Sequence, residues 1–148
     1  GKARSGELAL VAGEEMTVSV RVLGPHWVSA EKVLLFANGI LVREEPIAPA
    51  ARKELPMGVI YQSDWTLPKP AHDVHLVALA VGPGVVQPYW KSAKPYQPTS
   101  PNWVPRFLGC SGAVWVDCDA DGRFTSAHDY ARLVQQREGQ FEVAAREG

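Results

Sequence analysis

Val33-Leu34-Leu35-Phe36-Ala37-Asn38-Gly39-Ile40-Leu41-Val42-Arg43 decides the fold class. Two apolar runs flank Asn-Gly, the two-residue turn whose positive φ angles match the right-handed twist of paired antiparallel strands. Residues 33–37 and 40–43 therefore read as a tight hairpin. Upstream, Met16, Val18, Val20 and Val22 alternate with Thr17, Ser19 and Arg21, the period-two pattern of a strand buried on one face. Downstream, residues 58–62 and 64–67 are strand-like. Pro68-Lys69-Pro70 breaks the chain, and residues 73–81 form a long apolar strand that ends at Gly82-Pro83-Gly84. Residues 44–58 are rich in Pro, Ala and charge and read as a loop. Short strands at this spacing predict a mainly β chain, an immunoglobulin-like antiparallel β-sandwich, although no cysteine pair stands in the usual inter-sheet positions.

A chain of 148 residues is one ordinary domain, and residues 1–148 are read as such, with the sandwich over about 6–106 and an acidic loop plus helix over about 113–138. Net charge is −1 with acids and bases interspersed, which argues against nucleic acid or an anionic membrane surface as a partner. No apolar run reaches the ~20 residues of a membrane span. The opening Gly1-Lys2 reads as an excised fragment or a processed product. Cys110 and Cys118 are separated by a stretch that reads as strand, so no disulfide is predicted.

The densest chemistry lies in Asp117-Cys118-Asp119-Ala120-Asp121-Gly122-Arg123-Phe124-Thr125. Three carboxylates two residues apart, followed by a glycine, make the first half of a calcium loop: positions 1, 3 and 5 supply carboxylates and glycine at 6 permits the sharp turn. Arg123 would add a backbone carbonyl and Thr125 a hydroxyl or a water-mediated ligand. Position 12 holds His128, a poor ligand for a hard ion, and Asp129 comes one residue late. Asp129 also fits a capping box begun by Ser126. The alternative for the whole loop is that closely spaced Asp side chains accept hydrogen bonds from their own backbone and shape a turn without metal. Beyond it a short C-terminal helix is predicted, with Tyr130, Leu133 and Val134 on one face, and a frayed tail from Gly139.

Residues 83–105 carry six prolines among Tyr89, Trp90, Tyr96 and Trp103. Such a long Pro/aromatic loop is a candidate binding element, because Tyr and Trp present large flat surfaces with a polar tip, suited to a sugar ring or a protein interface. Trp27, Trp65 and Trp115 sit beside strand patterns and are expected between the sheets. His72-Asp73-Val74-His75 is the one histidine cluster; on a strand the two rings point to opposite faces and cannot share an ion. The chain has no GxSxG, HExxH, GxxxxGK or GxGxxG.

The strand ending in Gly82-Pro83-Gly84, the stretch from Pro88-Tyr89-Trp90 through Pro101, and Trp115-Val116-Asp117 through Thr125 together resemble the C-terminal region of bacterial PHP-domain metallohydrolases of the broad CehA/McbA-like group. The resemblance implies that the metal-dependent, phosphoesterase-like chemistry belongs to an N-terminal catalytic domain with His-x-His ligands. None is present here, since the histidines are His26, His72, His75 and His128. No catalytic residue is carried over. The expectation is a non-catalytic accessory domain with a possible structural calcium at Asp117, Asp119, Asp121, Arg123 and Thr125; the alternative is a carbohydrate- or surface-binding module. By analogy alone the resemblance leans to the cell envelope or export.

Overall fold

The computed structural model describes residues 2–49, 55–85, 93 and 102–147, with helix side chains described as far as Arg137. The described elements are β1 (Leu8–Leu10), β2 (Glu15–Leu23), β3 (Lys32–Ala37), β4 (Ile40–Pro46), β5 (Val59–Pro68), β6 (Val74–Pro83), β7 (Arg106–Cys110), β8 (Val114–Asp117) and α1 (Ala127–Glu147). They form a mainly β protein of two sheets that share one core, consistent with a β-sandwich. The larger sheet runs β1-β8-β6-β3-β4, with β7 also paired to β6, and the smaller is β2-β5.

The hairpin forms as its sequence requires: Asn38 and Gly39 adopt φ of 49° and 81°, and β3 and β4 pair antiparallel on either side. β6 is the spine of the larger sheet. One edge pairs with β3 along residues 76–81, while the other pairs with β8 at residues 74–76 and with β7 at residues 79–83. Between those two partners Ser111 fills the gap, its backbone N–H donating to Ala78 O and its hydroxyl accepting the Ala78 N–H at 3.0 Å. β1 then pairs parallel to β8.

The core follows from the alternation in each strand. Val20 of β2 and Tyr61 and Trp65 of β5 pack in one cluster with Val33 and Leu35 of β3, Val74 and Leu76 of β6 and Val116 of β8. Trp65 is 1% exposed and is the largest fully buried side chain among the described residues. At Gly82 a Cβ would collide with the backbone of Ser29, so glycine lets the β2–β3 connection lie against the end of β6.

Several expectations change. β4 extends to Pro46 and Ile47 beyond it is buried, so the loop predicted from 44 begins later. Residues 58–67 supply one strand, β5, where two were read. β1 and β7 carry no clear signal in the sequence: β1 has three residues, and β7 is interrupted by Gly109. Trp65 is core as expected, but Trp27 and Trp115 are 39% and 36% exposed and do not lie between the sheets. Trp115 sits opposite His75 on the outward side of its strand. The helix runs through Glu147, past Gly139 where fraying was expected.

One polar cluster enters the sandwich at the β4–β5 edge. The Arg43 guanidinium lies 5.1 Å from the Trp65 ring centroid and donates to Glu45 at 3.0 Å. The Tyr61 hydroxyl and then Arg43 hold the Glu45 carboxyl below the usual carboxylate range, although Tyr61 Oη, Trp65 Nε1 and Arg43 Nε approach without reaching hydrogen-bond geometry. A depressed carboxylate stabilises the fold above its unfolded pKa, and that contribution is lost as pH falls through the lower folded value. Glu45→Gln is expected to cost about 1–3 kcal/mol at neutral pH and to flatten the stability profile below about pH 4.3, as measured by urea unfolding across pH.

Candidate functional site: an acidic loop tied to the core

The residues 117–125 leave the end of β8 and turn sharply back. Asp117, fully buried, shapes that turn with both carboxylate oxygens: Oδ1 accepts the Ala120 N–H at 2.6 Å and Oδ2 the Gly122 N–H at 2.8 Å. Asp119 Oδ1 accepts the Asp121 N–H at 3.2 Å, and Asp121 Oδ1 the Arg123 N–H at 2.8 Å. Each aspartate is thus an acceptor for backbone a few residues on, the Asx-turn chemistry that closely spaced Asp permits. Gly122 takes φ of 85° as the loop pattern requires, and Ala120 is also left-handed at 62°, where a Cβ is strained.

A fourth carboxylate, which the loop pattern did not reveal, joins from the start of β6. Asp73 is 0% exposed; its Oδ1 accepts the Cys118 N–H at 2.8 Å and its Oδ2 the Thr125 N–H at 2.8 Å. Asp73 therefore clasps the loop at both ends from 45 and 52 residues away. The signal was present in His72-Asp73-Val74-His75, where the histidines drew attention and the acidic residue between them faces the loop. The histidines go to separate aromatic partners, His72 to Tyr130 at 5.8 Å and His75 to Trp115 at 5.6 Å.

Asp73, Asp117 and Asp119 bring ligand oxygens within 4.8 Å of one another. That set can hold a metal ion, and three carboxylates without imidazole suit a hard cation. Asp121 is outside this group, its exposed carboxylate engaged with Arg123 N–H, and Thr125 meets Asp73 through its backbone. The Asp121 N–H lowers the Asp119 carboxyl, but partial desolvation and the charges of Asp121 and Asp73 outweigh it, and the net displacement is upward. A bound cation would offset that mutual repulsion and draw the carboxyl back down. Burial first, and then Asp73, push the Cys118 thiol upward as well, so it stays protonated and is a poor nucleophile.

Past the loop, Ser126 Oγ accepts the Asp129 N–H at 3.1 Å and donates to Asp129 Oδ2 at 2.6 Å. This is the first half of the capping box, with the Asp129 carboxylate taking the Ser126 hydroxyl in place of a backbone amide; that hydroxyl, with lesser help from His128 and Arg132, holds the carboxyl below its ordinary value. Tyr130 then receives the Asp73 N–H at 3.4 Å, which fixes the first turn of α1 beside the loop. Of the aromatic candidates, Trp103 is half-buried; Tyr89, Trp90 and Tyr96 lie outside the described residues. The ends of their segment are joined by the Gly84 N–H to Pro105 O at 2.8 Å.

Compared with models of known protein families, with curated proteins and with solved structures, the chain matches none.

Asp73→Ala would leave two backbone N–H groups unpaired, at an expected cost of about 2–5 kcal/mol; Asp73→Asn, which keeps one acceptor, should cost less. Chemical denaturation of the two variants checks the order. Ala120→Gly relieves the left-handed strain and is expected to raise stability by up to about 1 kcal/mol, seen as a higher urea midpoint at unchanged slope.

Proposed function

We propose that this chain is a non-catalytic accessory and interaction domain, an immunoglobulin-like sandwich belonging to a larger bacterial metal-dependent hydrolase of the PHP kind, with a structural calcium in its acidic loop. The observation that carries the reading is the outward face of the larger sheet. Because alternate residues point to opposite faces, the registers place Leu34 and Phe36 of β3, Val77, Leu79 and Val81 of β6, and Leu108 of β7 together on the side away from the core. Trp115 and Leu8 extend the same face through β8 and β1. Leu108 is 68% exposed. The central residues are half-buried, and the same registers place Lys32, Glu44, Arg106 and His75 around them; an apolar patch with a polar rim of this kind supports contact with another protein body.

The strand pairing supports the immunoglobulin-like reading. β2 and β5 pair antiparallel in one sheet, β3, β4 and β6 with β7 and β8 make the other, and β1 crosses to run parallel to the last strand. The parent enzyme is supplied by the resemblance of the loop and strand sequences to the module that follows the hydrolase domain, and the catalytic ligands would reside there. The acidic loop supports a structural role because the oxygens of Asp73 and Asp117 already hold the loop backbone, leaving lone pairs that a calcium ion would share. The Arg123 carbonyl and waters would complete its coordination.

Calorimetric titration of metal-stripped protein with calcium is expected to show one site that is lost in Asp119→Ala. At about 100-fold excess over Kd the cation should add about 2.7 kcal/mol of stability. Absence of heat and of any melting shift up to about millimolar calcium, the weak end of calcium-loop affinities, would reduce the aspartates to turn formers. The isolated chain should not hydrolyse p-nitrophenyl phosphate with manganese or magnesium; turnover abolished by His72→Ala or His75→Ala would overturn the accessory assignment.

A further inference from the structure

The turn between β3 and β4 is fastened to the neighbouring strand through one side chain. Ala37 is the last β3 residue paired with β6, opposite Leu76, and Asn38 prolongs that ladder. Its backbone N–H donates to His75 O at 3.0 Å, its Oδ1 accepts the His75 N–H at 2.9 Å, and its Nδ2 donates to Asp73 O at 3.3 Å. Both ends of the side-chain amide are therefore engaged at the start of β6. Gly39, which follows, is exposed at φ of 81°, with open space where a Cβ would stand.

An asparagine that precedes glycine loses its amide readily, because no β-carbon shields the glycine nitrogen. The Gly39 nitrogen attacks Asn38 Cγ; the new N–C bond closes a five-membered succinimide, the Cγ–Nδ2 bond breaks, and ammonia leaves with the proton that the Gly39 nitrogen gave up. Water then opens the ring at either carbonyl, giving aspartate or isoaspartate. Water is the only co-reactant. Ring closure requires Cγ to swing onto the Gly39 nitrogen, and the amide is restrained from that swing while His75 and Asp73 hold its oxygen and its nitrogen. We propose that Asn38-Gly39 is a deamidation site gated by the fold: the amide is kept while the turn is clamped to β6, is lost when the hairpin opens, and once lost prevents the clamp from closing again. Either product lacks the Nδ2 donor and sets a carboxylate oxygen against Asp73 O. Isoaspartate also adds a methylene to the main chain of a turn that needs two residues at positive φ. The change falls on the residue that clasps Cys118 and Thr125, so the hold on the acidic loop loosens with it. Only contacts within the chain are involved, and the accessory-domain reading stands or falls separately.

The whole chain is incubated in mildly alkaline buffer, native and in urea, and followed by peptide mass spectrometry at Asn38 and at Asn102, the other asparagine, whose bulky successor Trp103 makes it a slow internal control. Conversion at Asn38 is expected to be at least about tenfold slower in the native protein than in urea, in step with the population of the open turn. Hydrogen exchange is then compared in the wild type, in Asn38→Asp, which stands for the aspartate product, and in Asn38→Gly, which keeps the left-handed turn and removes the amide. The amides of His75, Cys118 and Thr125 are expected to exchange at least about tenfold faster in both variants; if Asn38→Asp does not fold, Asn38→Gly decides. Equal conversion in native and unfolded protein overturns the inference. So does no conversion at Asn38 in urea, or unchanged exchange at Cys118 and Thr125 in the folded variants.

Discussion

The loop, the last strand and the helix all depend on where the carboxylate of Asp73 sits. It is fully buried, in a place where polar oxygens left without hydrogen bonds would cost several kcal/mol. Its two oxygens are satisfied by the N–H groups of Cys118 and Thr125. The acidic loop is therefore held from outside as well as by its own turns. Because Asp73 immediately precedes β6, any shift of the loop is felt at the strand on which the larger sheet is built. The Tyr130 hydroxyl, at the backbone N–H of the same residue, places the start of the helix at this point too.

β6 explains the asymmetry of the two sheets. A strand of ten residues is long enough to serve two shorter partners on one edge, and Ser111 supplies the groups that the missing pair would have offered. The jog lets β8 end at the acidic loop while β7 covers the far end of β6. It also leaves the outer face of the sheet apolar on both sides of the break, through Leu108 and Trp115.

Local signals wrote much of this fold. Asn38-Gly39 can hardly be anything but a hairpin turn, and the alternation of Met16 to Val22 places that strand's inner face correctly. What escaped was set by distant partners. β1 is three residues paired to β8 from across the chain, and no window that short has a period. Trp115 reads as core because it lies beside a strand pattern, whereas its register opposite His75 turns it outward. Half of the acidic site was legible, because Asp117 and Gly122 follow from loop chemistry; Asp73 was not, because its role depends on a fold that brings together residues 45 apart.

The bond between the Gly84 N–H and Pro105 O separates the sandwich from whatever its longest connection does. Once the two ends of a loop are pinned by the framework, lengthening it changes the closure entropy only as a logarithm, and the strands on either side keep their register. The segment between them is thus free to diverge in length and in aromatic content while the sheets stay fixed. That gives this scaffold a place where new recognition can be acquired without refolding the rest.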